Sequence, residues 1–475
     1  MRGSASSNNA MAKSSEIRRV KIGMLGSGTV GEAVQELVFN GDLADRLGVM
    51  VEIVKIYTRH PKQKKWYSTH PSLFTTKAHE VTDHPDVDIV IEVLGSQQKK
   101  DLPVFKDYVI RAMQKGKSVV TSDKAILATY GKEIWAAADR YGQEIGFEAT
   151  VGGSIPIIKS LRESLAAEEP EAIYGIVNGT CNYILTEMKN GGKSYEDALR
   201  EAQERGYAET NPEMDVAGMD AEAKLILLCT VVFGLQLEPG VIYRRGIDEI
   251  HAIDFQYACS KGSSTIKSLA VARNEEGIIQ AFVSPVLVSN EHFLSNIDGV
   301  TNAIFFKRKG SEQESSNTHP GWNYSFIGPG AGGGPTAVAI LGDLCHLVRQ
   351  PRQKGVSANL WRKSGGPSVQ PQDLIKADFY VRFVVKDQSG IVGDICRIFG
   401  DKGVNISEVW QLNHGKKELE GLARKYHLTG KPTKILPFAI TLERTTIEQI
   451  KKALDIIRKR DFILVEPIWL PIWSD

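Results

Sequence analysis

One short stretch limits the fold more than any other. Residues 20–25 (VKIGML) form an apolar run, GSGTVG follows at once, and EAVQELVF then reads as a helix. A strand that passes through a glycine loop into a helix opens a parallel α/β unit. Gly26, Gly28 and Gly31 stand in G-x-G-x-x-G spacing around Thr29 and Val30. The first glycine permits a tight turn, the second lets backbone approach a pyrophosphate, and the third lets the helix pack close to its strand. The helix N-terminus then presents unpaired N–H groups to the phosphates. The stretch predicts a dinucleotide site, with a plain tight turn as the alternative.

The segments that follow continue the alternation. MVEIVKIY (50–57) is a second strand, VDIVIEVLG (87–95) a third and KSVVTSDKA (117–125) a fourth that ends at Lys124, with helices at 103–115 and 125–141. This order predicts a Rossmann-type α/β domain over 17–150, a parallel sheet with helices on both faces. An NAD site usually ends the second strand with an acid. Here Thr58, Arg59, His60, Lys62, Lys64 and Lys65 follow. A basic end suits a 2′-phosphate, so NADP(H) is favoured with Arg59 as a contact and NAD(H) as the alternative; a solvated basic loop is the bland reading.

The pattern changes at EIGFEATVGGSIP (144–156). Glu148 and the carbonyls of this kinked exit could hold a hard cation, which prefers oxygen ligands; a simple bend between domains serves equally. Residues 151–320 read as an α+β domain with a mixed sheet, on pieces such as IYGIVNGTCNYIL, IIQAFVSPVLV and TNAIFFKR. Within 321–350, a glycine cluster and a proline precede a long apolar helix that can return to the nucleotide domain. Residues 351–372 are rich in Gly, Pro, Ser and Gln and read as a linker. Residues 373–475 form a separate β-α-β-β-α-β unit, a ferredoxin-like layout, with a polar insert at 413–433.

Composition narrows the function classes. A length of 475 residues suggests about three domains at roughly 150 residues each. With 58 basic and 57 acidic residues, the charge is too balanced for nucleic-acid binding to be the main role. No apolar run reaches the ~18 residues needed to span a bilayer. Residues 1–16, beginning MRGSASSNNA, resemble an expression leader, with a native start at Met11. Cys181, Cys229, Cys259, Cys345 and Cys396 are scattered and form no CxxC pair, so neither a disulfide framework nor a zinc site is indicated and a reducing cytoplasm is the simplest setting.

The chemistry concentrates in AQERGYAETNPEMDVAGMDAEAK (202–224). Gly206 stops a helix where a glycine is least costly, a polar loop carries Glu209 and Asp215, and a second helix begins near Asp220. Asp220 and Lys224 are four apart and share a helical face. Alone, such a pair is a surface salt bridge worth a few tenths of a kcal/mol. The run LILLCTVVFG that follows is too apolar for a surface helix.

Together these blocks resemble homoserine dehydrogenases, in the bacterial form with a C-terminal ACT regulatory domain. The resemblance covers nearly the whole chain after the leader. It is carried most specifically by Ala202, Gly206, Asn211-Pro212, Asp215-Val216, Gly218, Asp220 and Lys224, with GSGTVG, NGTCNYIL and GPGAGGGPTA as further blocks. The resemblance implies interconversion of L-aspartate 4-semialdehyde and L-homoserine. Lys224 would donate and accept the proton at the substrate oxygen. Asp220 and Glu209 would hold the substrate, and Lys124 would sit between nicotinamide and substrate. Thr29, Val30, Gly206 and Gly330 would touch the cofactor. A sodium ion would be held by Glu148 and the backbone oxygens of Val151, Gly153 and Ile155. One departure stands out: the family writes T-A-N-K where this chain has Thr121, Ser122, Asp123 and Lys124.

Two other readings compete. Cys181 could be the thiolate of a semialdehyde dehydrogenase that forms an acyl-enzyme, against a small packed cysteine. The chain could instead be an amino-acid sensor: Asp387, Gly390 and Ile391, with Asn405 and Ile406, match the effector loop and second strand of ACT domains. The resemblance makes threonine the expected effector, acting on the enzyme, and a homodimer or homotetramer the expected assembly.

Overall fold

The computed structural model of the chain describes residues 18–41, 43–95, 100–310, 323–349, 367–428 and 434–473. The leader at 1–16, most of the linker at 351–372 and residues 429–433 of the polar insert lie outside them. The nucleotide unit comprises β1 (Arg18–Leu25), α1 (Thr29–Asn40), β2 (Val49–Tyr57), β3 (Phe74–Thr75), β4 (Ile89–Glu92), α2 (Leu102–Gln114), β5 (Ser118–Thr121), α3 (Lys124–Tyr141) and β6 (Ile145–Gly146). All neighbouring strands are parallel, in the order β3-β2-β1-β4-β5-β6. The central strands β4 and β5 are buried along their whole length, which is why they read as continuous apolar runs and not as alternating ones. The strand order reverses between β1 and β4, the place at the carboxyl ends of the strands where open sheets of this kind bind their ligands.

The second unit contains β7 (Pro170–Ile176), α4 (Gly179–Gly191), α5 (Tyr195–Glu204), α6 (Met219–Phe233), β8 (Tyr243–Arg244), α7 (Ala252–Gly262), β9 (Ser264–Glu275), β10 (Ile278–Ser289), β11 (Thr301–Arg308) and β12 (Asn323–Pro329). Glu276 and Gly277, with φ of 52° and 89°, close the β9–β10 hairpin. A two-residue turn with both φ positive matches the natural strand twist. The next helix, α8 (Gly333–Arg349), lies against α1 and the first sheet. Its buried Ala337, Ile340, Leu341, Leu344 and Val348 join Val20, Ile22 and Val34 in one core. Each large apolar side chain buried there contributes roughly 1.5–3 kcal/mol. Arg18 Nη1 donates to Val348 O (2.7 Å), and Arg349 Nη2 to Leu47 O (2.8 Å).

The C-terminal unit follows a short strand β13 (Ser368–Val369). It consists of β14 (Lys376–Lys386), α9 (Ile391–Asp401), β15 (Ile406–Trp410), α10 (Lys416–Lys425), β16 (Ile435–Thr446), α11 (Ile447–Ile457) and β17 (Ile463–Ile472). Its antiparallel order β17-β14-β16-β15 is ferredoxin-like. Two features differ from the sequence reading. The polar insert carries the helix α10 and is not a loop throughout. The unit also does not stand apart: β17 lies beside β10, with Trp473 N–H donating to Leu287 O at 2.8 Å. One eleven-stranded sheet, β12-β11-β7-β9-β10-β17-β14-β16-β15 with β8 and β13 beside β10, runs through both units. Tyr174, Val271 and Val286 share a core with Phe379, Val381 and Ile395.

A buried charge pair locks this junction. Asp254, on α7, is 0% exposed and accepts from Arg382 Nη1 of β14 at 2.7 Å; Arg382 is 1% exposed. Tyr380 Oη donates to the other Asp254 oxygen at 2.8 Å, and His251 N–H also donates to the carboxylate at 2.8 Å. Arg382 Nη2 donates to Tyr426 Oη at 2.9 Å, just past α10, and Gln256 Nε2 donates to Glu418 Oε1 at 3.0 Å. Removing one partner of such a pair leaves a charge stranded out of water, at a cost of about 3–5 kcal/mol. Arg382→Met should therefore lower the denaturation midpoint strongly. Lys451→Ala, which breaks the exposed 2.6 Å pair with Asp373, should leave it within error. Equal midpoints in urea titrations of the two variants would contradict this.

Candidate functional site

The glycine loop is shaped as a cradle. Gly26 has φ of 113° and a Cβ there would strike Val93 O at 2.4 Å; a Cβ on Gly31 would strike Gly26 O at 2.8 Å. Gly28 has nothing within 4 Å of its absent Cβ, so the loop surface beside α1 is open. No side chain caps α1, which leaves its first N–H groups free for an anion. Ser27 is held from beneath by Gln35 Nε2 at 3.0 Å. Thr29 and Val30 form the first turn, and Gly333 lies against Thr29, where its Cβ would come within 3.0 Å of Thr29 O. These residues fit a dinucleotide.

Beside this loop, charged side chains from two units converge. Lys124 opens α3 at the end of β5, where ligands lie in such sheets. Asp220 lies in the first turn of α6, with Lys224 one turn later. Lys124 Nζ is 2.9 Å from Asp220 Oδ1, and Lys224 Nζ is 2.7 Å from Asp220 Oδ2. Lys224 also donates to Val177 O at 2.6 Å. Burial alone would raise the Asp220 carboxyl, but the two ammonium groups outweigh it and hold the carboxyl well below its usual range. Asp220's charge in turn raises Lys124, against the opposing effect of burial. Lys224 is buried with the apolar remainder of α6, whereas Lys124 is 36% exposed at the carboxyl end of β5. The arrangement places two lysine amines around one buried carboxylate at the carboxyl end of the nucleotide sheet, groups suited to a reaction that builds charge on a carbonyl oxygen.

Comparison with known proteins agrees with this geometry. A family model described as "Homoserine dehydrogenase" matches residues 156–345, and one described as "Homoserine dehydrogenase, NAD binding domain" matches residues 26–148. The homoserine dehydrogenase of Pseudomonas aeruginosa is 33% identical over 414 residues, covering 86% of this chain and 91% of its own. The chain belongs to the homoserine dehydrogenase family. The crystal structure of a homoserine dehydrogenase from Thiobacillus denitrificans superposes with a TM-score of 0.80 at 29% identity, covering 96% of this chain and 99% of that one. A hyperthermophilic archaeal homoserine dehydrogenase in complex with NADPH superposes with a TM-score of 0.56 at 26% identity, covering 70% of this chain and 99% of that one. The protein is therefore an oxidoreductase that binds a nicotinamide dinucleotide. Among the described residues no helix is long and apolar enough to cross a membrane.

The other residues singled out from the sequence fall at varied distances from this homoserine dehydrogenase cluster. Gly206, with φ of 74°, stops α5 and is exposed. Glu209 is exposed in the loop beyond it, and its carboxylate touches no partner among the described residues; only its carbonyl accepts, from Gln203 Nε2 at 3.1 Å. That loop is pinned near the cluster by Thr180 Oγ1, which donates to Tyr207 O at 2.7 Å. Gly330 is buried against Asn302 and Gly153, and Gly333 is the glycine that meets the nucleotide loop. Arg59 is exposed at the end of β2. Lys64 and Lys65 pair with Glu32 (3.5 Å) and Glu36 (2.7 Å) of α1, which leaves Arg59, His60 and Lys62 as the basic edge without an ion pair among the described residues. Cys181 is a correction to the thiolate alternative: burial pushes its thiol well up, and Sγ donates to Asp215 O at 3.2 Å.

The Glu148 carboxylate accepts from Ile158 N–H (2.7 Å) and Lys159 N–H (2.8 Å), capping the turn Ile157–Lys159, and burial pushes it up to about 7. Each carboxylate oxygen keeps a further lone pair for an ion at this bend. Among the described residues no cluster of three or more His, Cys, Asp or Glu is arranged for a metal. The bend itself suits an oxygen-bound monovalent ion. Gly152 and Gly153 are both left-handed (φ of 73° and 59°), Val151 and Ile155 flank them, and Gly153 abuts Gly330. Asn302, behind Gly330, is fully buried with neither amide atom hydrogen-bonded among the described residues, an orphan that an ion or a water would satisfy. The sequence offered only a lone Asn in TNAIFFKR as a signal. In the C-terminal unit, Gly390 (φ of 88°) and buried Ile391 start α9 just after Asp387, whereas Asn405 and Ile406 follow its far end. An intervening helix of 11 residues is roughly 16 Å long, so one chain does not gather these five residues into one site.

The departure at Asp123 has a local explanation. Its Oδ1 accepts from Ala125 N–H (2.9 Å) and Ile126 N–H (3.1 Å), capping α3 just before Lys124. The neighbouring Glu92, at the end of β4, is 0% exposed. Burial first and the Asp123 charge second push its carboxyl up to about 8. The sequence reading did not single out Glu92, which looked like part of an apolar strand. The folded protein keeps a proton on Glu92 that the unfolded chain releases above about 4.5, so stability falls as pH rises from about 4.5 to 8. Glu92→Gln should remove this slope: its stability relative to the parent should climb through that window and level off above it. Chemical denaturation at pH 5 to 9 measures this, and a pH-independent difference would refute it.

Proposed function

We propose that this chain interconverts L-aspartate 4-semialdehyde and L-homoserine with NADP(H) in preference to NAD(H), Lys224 carrying the proton. The observation that carries the reading is the pair of lysine amines, 2.9 and 2.7 Å from the two oxygens of buried Asp220, at the carboxyl end of the nucleotide sheet. When bound, the nicotinamide supplies or accepts the hydride. Lys224 neutralises the charge that grows on the aldehyde oxygen and gives it a proton; in the reverse direction it takes the proton from the hydroxyl. General acid help of this kind is worth about 10²–10⁴-fold. Asp220 orients both lysines, and Lys124 faces the crevice between cofactor and substrate. Glu209, exposed and unpaired on the loop beside the cluster, is suited to bind the substrate amino group. The alternative based on Cys181 lacks an ionisable nucleophile.

The finer assignments belong to the same proposal. Arg59 reads the 2′-phosphate. Sodium is held by Glu148 and the backbone oxygens of Val151, Gly153 and Ile155, beside Asn302. Threonine regulates the enzyme through the C-terminal unit, read as an ACT domain, in a dimer or tetramer whose second copy completes the divided effector residues. The setting is the cytoplasm.

Lys224→Met should lower kcat by about 10²–10⁴-fold with an unchanged NADPH Kd by fluorescence titration; near-parental turnover would refute the assignment. In the same homoserine-oxidation assay, Arg59→Ala should raise KM for NADP and leave KM for NAD, and threonine should inhibit the parent. Equal KM changes or no threonine response at high concentration would remove the respective assignment.

A further inference from the structure

Asn178, which follows β7 and caps α4, has no part in the reaction as described so far. It is 5% exposed. Its Oδ1 accepts from Cys181 N–H at 2.8 Å, an ordinary helix cap. Its Nδ2 is placed differently: it donates to Asp215 Oδ1 at 2.7 Å and to Asp220 Oδ2 at 2.9 Å. One neutral amide thus gives each of its two hydrogens to a different carboxylate. The carbonyl just before it, Val177 O, receives Lys224, so this turn holds both the acid and its partner carboxylate.

The two carboxylates oppose each other. Burial, and then the charge of Asp220, raise the Asp215 carboxyl, while Lys124 and Lys224 stabilise Asp220. A neutral donor between them fixes both without adding charge, and it sets the rotation at which Asp220 gives one oxygen to each lysine. We propose that Asn178 is a positioning residue for the reaction, an amide bridge that acts on Lys224 and Lys124 through Asp220. The inference rests on the functional reading above.

A simple cap makes a different prediction, because Asp and Ser cap helices as well as Asn does. Asn178→Asp keeps the cap acceptor, removes both donors and adds a third carboxylate. The charged and titratable groups facing it are Asp215, Asp220, Lys124 and Lys224, with Asp123 beside Lys124 and the Cys181 thiol close by. Asn178→Ser removes both donors without new charge and serves if the first variant does not fold. Homoserine oxidation is measured from pH 6 to 9, with NADPH affinity and melting temperature alongside and Lys224→Met as control. The bridge predicts that Asn178→Asp loses about 100-fold in kcat at pH 8 and regains roughly 10-fold toward pH 6, where one shared proton restores a donor. It predicts that Asn178→Ser loses about 10-fold with no acid recovery. Both should bind NADPH normally. If both variants stay within about threefold of the parent and keep its pH profile while Lys224→Met is inactive, the bridge is overturned and the functional reading stands. If Lys224→Met is also active, the functional reading itself has failed.

Discussion

The structure turns on the demand of one buried carboxylate for positive charge. Asp220 lies at the start of an otherwise apolar helix, where an ionised carboxyl stripped of water would be far too costly unless paired and hydrogen-bonded. It is satisfied by Lys224 from its own helix, Lys124 from another unit and the Asn178 amide from a third element. That requirement ties α3 of the nucleotide unit to α6 of the second unit at one point. It also holds both lysine side chains in place at the carboxyl end of the nucleotide sheet. A single constraint, pairing a desolvated charge, thus gives both the contact between units and the electrostatics of the site.

Other parts of the fold stabilise that meeting point. The apolar length of α6 buries it deeply enough for the charges at its start to be screened little by water. The return of α8 to α1 closes the chain over the nucleotide sheet, and Asp343 on it accepts from Glu148 N–H at 2.8 Å while pairing with Lys159. The C-terminal unit is joined by sheet continuation and by the Asp254–Arg382 pair, another place where a desolvated carboxylate recruits a partner from a distant segment. A unit attached in this way shares a core with the sheet of the second unit, so a change of shape in one is felt in the other.

Much of this was legible in the residues. The glycine spacing and buried strands identified the parallel sheet, because backbone sterics and complete burial leave a local imprint. The spacing of Asp220 and Lys224 announced a shared helical face, and the 202–224 block carried the family resemblance that the comparisons bear out. Other features left no such imprint. Glu92 is hidden in an apolar run, Asn302 in an ordinary strand, and α10 in a polar stretch whose helical periodicity faces a partner far along the chain. The pairing of Lys64 and Lys65 with α1 likewise depends on which helix lies beside their loop.

What the sequence determined by itself was the identity of the units, the family and the chemical types at the site, since these follow from local periodicity, glycine positions and fixed motifs. What only the tertiary structure decided was which groups meet: Lys124 with Asp220 across 96 positions of chain, Asp254 with Arg382, β17 with β10, and the engagement of Glu148 by a helical turn. Such encounters are selected by desolvation and packing in three dimensions, where a charge accepts whichever partner the fold delivers, and no local pattern of residues encodes that choice.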